Sequence, residues 1–263
     1  MILNSFAQRS FQDLTQYPVM PWILQDYESN VLNPQKPDTF RDLAKPIGTL
    51  GDPNRLQQFQ ERYEETPIDT EKCLYRTHYS SPGYVVGFHV RKHPQWMIKF
   101  QSGKYDDPNR LFNSIHEEWS SCLKSPSCVK ELIPEFFMAD QKEMFVNALE
   151  LDFGTSASGQ DVKDVGLPNW ASSPEDFLKQ HSSALESPFV SNDLNKWIDL
   201  IFGCSQNSKE ANNVFHPYSY EGSVDWSQIK DTEQKLMVET WINEFGQTPR
   251  QLFKEPHPKK GTV

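Results

Sequence analysis

Two groups of residues have types and spacing that could carry chemistry. The first is Thr77-His78-Tyr79-Ser80-Ser81, where His78 could take a proton from Ser80 while a carboxylate such as Glu135 orients the imidazole. That chemistry needs hydroxyl, base and acid within hydrogen-bond reach, and no GxSxG elbow presents this hydroxyl. A structural reading competes with it: Ser80 or Ser81 caps a helix begun by Pro82, and His78 and Tyr79 bond within a packed loop. The structural reading is preferred, so no enzymatic activity is expected. The alternative is a hydrolase or lipid-metabolising enzyme using His78 and Ser80.

The second group is His89 and His93, four apart on an expected helix. No HExxH accompanies them, and Cys122 and Cys128 are spaced too loosely for a zinc knuckle. Neither GxGxxG nor GxxxxGK[ST] occurs, so no metal and no cofactor are expected. The cysteines at 73, 122, 128 and 204 have no paired spacing and read as reduced, mostly packed thiols.

The chain that must position these residues has 263 of them, with 37% hydrophobic and 13% aromatic positions, 19 prolines and 12 glycines. That length gives one large domain or two small ones, and the absence of a convincing linker favours one. The net charge of -10 argues against nucleic acid or an anionic lipid surface as partner, since both demand a cationic face. The nearest basic cluster, Arg91-Lys92-His93 with Lys99, is too small to reverse this. With no 18-residue apolar run and no charged n-region before an apolar stretch, no membrane insertion is expected, and a cytoplasmic location is.

Proline organises the chain. Asp52-Pro53, Ser81-Pro82, Asp107-Pro108, Ser173-Pro174 and Thr248-Pro249 each read as a helix N-cap followed by its first residue. The helix after Pro108 is expected to carry Leu111, Phe112, Ile115, Trp119 and Leu123 on one face. Ser191 reads as the cap of another bearing Leu194, Trp197, Ile198 and Ile201, and one more runs from Asp231 to Gly246. Tyr17-Pro18-Val19-Met20-Pro21-Trp22-Ile23-Leu24 is too apolar for a solvated loop and cannot be helical. It reads as an extended strip in the core, whose peptide groups need partners. Residues 151 to 169 read as a surface loop.

Laid out in this order, the sequence resembles a BEACH domain, the module named for the beige and Chediak-Higashi proteins. The resemblance runs end to end through AQRSFQDLTQYPVMPWILQDY at 7 to 27, FRDLAKPIGTL at 40 to 50, THYSSPGY at 77 to 84, VKELIPEFF at 129 to 137, WIDLIFG at 197 to 203, NVFHPYSYEGSVD at 213 to 225 and FGQTPRQLF at 245 to 253. Ser81-Pro82-Gly83-Tyr84 and the run from Ala171 to Phe177 are similar to the subfamily of the factor associated with neutral sphingomyelinase activation. Gln8 stands where the family usually has Gly, and Cys204-Ser205 where it usually has Tyr-Lys.

The resemblance implies a mostly α fold, a single BEACH-type domain over 1 to 263 with helices packed around extended core segments lacking regular strands. It also implies a scaffold or adaptor without enzymatic activity. Such proteins act in vesicle trafficking, lysosome size, autophagy or receptor-to-sphingomyelinase signalling. The implied neighbours, which this chain lacks, are a preceding pleckstrin-homology-like domain and a following WD-repeat propeller. Partner binding needs aromatic or Arg anchors with a polar rim, which singles out Tyr17, Trp22, Asp26, Tyr27 and Arg41, with His78 and Tyr79. For each there is an internal alternative: Trp22 could fill the core and Arg41 could neutralise a buried Asp.

Overall fold

The computed structural model describes residues 1–67 and 71–261. Its α-helices, in chain order, are α1 (Ile2–Phe6), α2 (Pro53–Glu65), α3 (Pro82–Phe88), α4 (Pro94–Phe100), α5 (Ile115–Lys124), α6 (Pro174–Leu185), α7 (Pro188–Phe202) and α8 (Thr232–Phe245). Among the described residues the extended segments meet only at isolated bridges, such as Met20 with Leu132 and Leu24 with Phe40. The expected architecture, helices around strandless extended segments, is therefore the observed one. Among the described residues no helix is long and apolar enough to cross a membrane.

Three of the five expected proline starts open helices, at Pro53, Pro82 and Pro174. Asp52 and Ser173 cap through their side chains, whereas Ser81 occupies the cap position without such a bond. The other two starts are corrected. Asp107 accepts from the Asn109 N–H at 2.9 Å, which closes a turn around Pro108 instead of opening a helix. Leu111 and Phe112 are buried before the helix begins, and α5 starts only at Ile115, capped by Ser114. At Pro249, the N–H of Thr248 donates to the Ser219 carbonyl at 2.6 Å, so this stretch lies beside Tyr220 in a bridge and forms no helix.

Two further prolines open helices outside the expected set. Ser187 rather than Ser191 caps α7, one turn earlier, and His93-Pro94 opens α4. His93-Pro94 also breaks the expected helix through both histidines: His89 terminates α3 and His93 precedes α4. The 151–169 loop is largely exposed, but it is pinned by buried Phe153, Val162 and Val165.

Rings form the middle of the core. Trp22 packs on Trp119 at 5.3 Å and on Tyr27 at 5.5 Å, and Phe136 meets Phe88 at 4.9 Å and Phe145 at 5.7 Å. Phe145 continues to Phe177, which stacks on Trp170 and His181. Large rings bury much area per residue, which is how a chain with a modest apolar fraction fills its interior.

The end of α1 contains the most exacting backbone. Arg9 N–H donates to the Asn4 carbonyl and Gln8 N–H to the Ser5 carbonyl, the paired bonds of a Schellman motif. The residue between helix and exit must then be left-handed, and Gln8 is, with φ 59. Glycine takes that conformation without a Cβ penalty. Gln8→Gly is therefore expected to raise stability by about 0.5–1 kcal/mol, read as a higher urea midpoint at unchanged slope. At Gly246, φ is 71 and a Cβ would meet the Thr15 carbonyl at 2.7 Å, so Gly246→Ala is expected to lower the same midpoint.

Candidate functional site

The strip from Tyr17 to Leu24 crosses the core, and its peptide groups are served largely by side chains. Asn4 donates its amide to the Val19 carbonyl and accepts from the Val19 N–H, both at 2.9 Å. Arg9 Nε donates to the Tyr17 carbonyl at 2.8 Å. Glu131 Oε2 accepts from the Trp22 N–H at 3.0 Å, while its Oε1 accepts from the Trp197 indole at 3.1 Å. Arg41 lies 2.7 Å from Glu131 Oε2 in an ion pair whose side chains are 1% and 2% exposed, and it also donates to the carbonyls of Trp22 and Lys45. The expected buried partner of Arg41 is thus a Glu, carried in from the 129–137 segment.

These contacts place the candidate residues. Tyr17, Trp22, Tyr27, Arg41, His78 and Tyr79 are buried, and Asp26 is partly exposed. Trp22 and Arg41 come together at Glu131, and Tyr17 meets Glu135, four residues further along the same segment. His78 and Tyr79 belong to a second group with Arg9 and Phe215. Tyr17 Oη is hydrogen-bonded to Glu135, and that carboxylate lies 3.4 Å from His89 Nε2. Glu135 is therefore engaged with Tyr17 and His89, which corrects its expected role beside His78.

The Ser80 hydroxyl stands 3.4 Å from His78 Nδ1, but it accepts a hydrogen bond from Arg9 at 2.8 Å. Burial, and secondly the Arg9 charge, pushes the His78 pKa down to about 3, so the imidazole is a weak base. Both residues are buried, and neither lines any of the three main surface clefts. Packed hydroxyl and imidazole groups without a substrate space do not make a nucleophile. Among the described residues, no group of three or more His, Cys, Asp and Glu is arranged to hold a metal ion. Arg91, the first residue of the small basic cluster, is buried and donates to the carbonyls of Lys163 and Phe112, so it contributes no surface charge.

Concave surface occurs elsewhere. A cleft of about 570 Å³ lies between α1, Val19-Met20-Pro21, α7 and residues 257–261. Its walls include Leu194, Trp197 and Ile198, and Ile2 and Phe6 of α1 stand 72% and 69% exposed. Asp26 lines a second cleft with Lys36, Asp38 and Trp119. A third, polar cleft of about 650 Å³ lies between α3, α5 and the end of α8.

Arg9 and Glu131 do not stand out in the sequence. Each is a charge within a recognised segment, and a lone acid in Val129-Lys130-Glu131-Leu132-Ile133 is the available signal. The Trp197 indole that Glu131 engages reads as core, which it is.

Helices packed around side-chain-braced extended segments that lack regular strands define a mostly helical domain. The Beige/BEACH domain family model matches residues 1–260, so the chain belongs to the BEACH family. It is 46% identical over 267 residues to BEACH domain-containing protein lvsD of Dictyostelium discoideum, covering 99% of this chain and 9% of that protein. It is 44% identical over 268 residues to BEACH domain-containing protein B of Arabidopsis thaliana, covering 99% of this chain and 10% of that protein. The chain thus spans about a tenth of the length of these curated relatives.

Removing Glu131 would leave the Arg41 charge buried and unpaired. Glu131→Ala is expected to cost about 3–5 kcal/mol in urea unfolding, against under about 1 kcal/mol for Lys45→Ala, which breaks the exposed pair with Asp42.

The buried histidines set a pH window. Burial holds His181 at about 4, and His78 lies at about 3, both below the ordinary 6.5. Between these values the unfolded chain binds protons that the folded one does not. Stability is therefore full above 6.5 and falls as pH drops toward 4, by about 1.4 kcal/mol per pH unit per histidine at most. His181→Asn is expected to flatten that slope, measured as unfolding midpoints across the range.

Proposed function

We propose that the chain is a non-catalytic scaffold domain acting through protein–protein contacts inside a larger protein. The observation that carries this reading is the apolar cleft beside α1, with exposed Ile2 and Phe6, set against a His78–Ser80 pair that is closed to solvent. The likeness to relatives ten times longer supports neighbours in the same polypeptide, and the family resemblance implies that they are a preceding pleckstrin-homology-like domain and a following WD-repeat propeller. The preceding domain docks on α1 and the cleft. Tyr17, Trp22, Tyr27, Arg41, His78 and Tyr79 serve binding by fixing the strip and its supports, and Asp26 contacts partners directly from its own cleft.

The processes served are vesicle trafficking, lysosome size and autophagy, or receptor-to-sphingomyelinase signalling, the last supported by the sequence details shared with that subfamily. The domain is cytoplasmic, and its net charge of -10 favours membrane attachment through a neighbour rather than through its own surface.

Titrating the domain with its separately purified upstream region tests the reading. Saturable binding is expected, weakened about tenfold or more by Phe6→Asp or Ile198→Asp with the circular dichroism unchanged. Absence of binding would remove the docking role. Ester or phospholipid hydrolysis that disappears in Ser80→Ala would replace the scaffold by an enzyme.

A further inference from the structure

Two thiols unused by any of these roles face each other. Cys122, on α5, is fully buried, and its Sγ lies 3.5 Å from the Sγ of Cys128, four residues past the helix end. Their backbones are held by one side chain: Arg55 donates to the Cys122 carbonyl at 2.6 Å and to the Cys128 carbonyl at 2.7 Å. Cys128 lines the polar cleft of about 650 Å³ between α3, α5 and α8, together with Ser121, Ser125 and Lys130. Cys122 does not line it. The sulfurs need approach only about 1.5 Å further to reach bonding distance, and Pro126 and Ser127 in the intervening turn are exposed.

We propose that Cys122 and Cys128 form a peroxide-responsive dithiol, in which Cys128 is oxidised from the cleft and Cys122 then closes an intramolecular disulfide. In the first step the Cys128 thiolate attacks one oxygen of a hydroperoxide. The O–O bond breaks, sulfur loses two electrons to the peroxide, and the second oxygen leaves as alcohol or water after taking a proton from solvent. In the second step Cys122 gives up its proton and attacks the Cys128 sulfenic sulfur. The S–S bond forms as the S–O bond breaks, and the hydroxyl leaves with that proton as water. The sum is two thiols and one hydroperoxide giving a disulfide, an alcohol and water.

The electrostatics assign the same order. The hydrogen bond from Cys122 pulls the Cys128 thiol below its ordinary value against the opposing effect of burial, with Lys130 adding its charge. Burial drives the Cys122 thiol well above its ordinary value, so it keeps its proton until a sulfenic acid is presented to it. A thiolate at the cleft wall with a protonated thiol behind it is the division of labour that the two steps require. In a reducing compartment such a disulfide is transient, as befits a sensor rather than a structural crosslink.

The test uses the reduced domain, dosed with hydrogen peroxide, quenched with N-ethylmaleimide and mapped by peptide mass spectrometry. The expected product is a reducible link between the peptides holding Cys122 and Cys128, forming before Cys73 or Cys204 is oxidised. In Cys122→Ser the Cys128 sulfenic acid is expected to persist and to be captured by dimedone. Alkylation of Cys128 in the untreated domain is expected to set in at lower pH than that of an ordinary thiol. Retention of alkylatable Cys122 and Cys128 while Cys204 oxidises, or links to other cysteines in their place, would overturn the proposal. The unsubstituted chain distinguishes these outcomes even if Cys122→Ser fails to fold.

Discussion

An extended strip with two prolines, driven through a core that contains no sheet, is the constraint on which the rest of this structure depends. Pro18 and Pro21 bar a helix and remove two donors, yet Val19, Trp22, Ile23 and Leu24 are fully buried. A peptide group without a partner there costs as much as a lost hydrogen bond. Isolated bridges to Leu132 and Phe40 pair only some of its peptide groups with backbone, so charged and amide side chains serve the others. Asn4 clamps both groups of Val19, Arg9 holds the Tyr17 carbonyl, Glu131 takes the Trp22 N–H and Arg41 the Trp22 carbonyl. Asn4 and Arg9 flank the end of α1, while Arg41 and Glu131 come from two distant segments. Satisfying the strip therefore assembles α1, the 40–50 segment, the 129–137 segment and, through the Trp197 indole, α7.

That origin accounts for the shifted pKa values of His78 and His181 without an active site. Shifted pKa values cluster at catalytic centres because catalysis needs them, but burial in a polar brace shifts them equally well. His78 is displaced by burial and the Arg9 guanidinium, and His181 by burial among Phe137, Phe177 and Tyr27. What separates brace from site is open space next to the group. His78 and Ser80 have none, whereas Cys128, whose thiol is also displaced, lines a cleft.

The same distinction decides what the sequence could disclose. The strip was legible because two prolines in an apolar run leave few conformations, and helices at Pro53, Pro82 and Pro174 because cap and proline occur together. Asp107-Pro108 carries the same two residue types. There the aspartate serves Asn109 two residues on, because Leu111 and Phe112 must both be buried before the helix that begins at Ile115. Cap chemistry is local and that requirement is tertiary. Aromatic and Arg anchors at Tyr17, Trp22 and Arg41 have the composition of an interface core, and composition alone does not tell an interface from an interior. The clefts were not legible, because each is bounded by elements far apart in sequence, such as α1 and residues 257–261.

The Schellman turn at Gln8 shows how the brace and the surface depend on one another. A non-glycine residue held left-handed survives where its surroundings over-determine it. The next residue, Arg9, supplies that determination: its guanidinium donates to the carbonyls of Tyr17 and Gln247 and to the Ser80 hydroxyl. These bonds fix where the chain must leave α1, and the strain at Gln8 is the cost of meeting that exit without glycine. On the other side of the same turn, Asn4 faces inward to Val19 while Ile2 and Phe6 face outward beside the cleft. A five-residue helix has too little intrinsic stability to hold two apolar side chains in water by itself. It is the buried amide and the guanidinium that follows it which present them, so the shape of this apolar surface is set from inside the core.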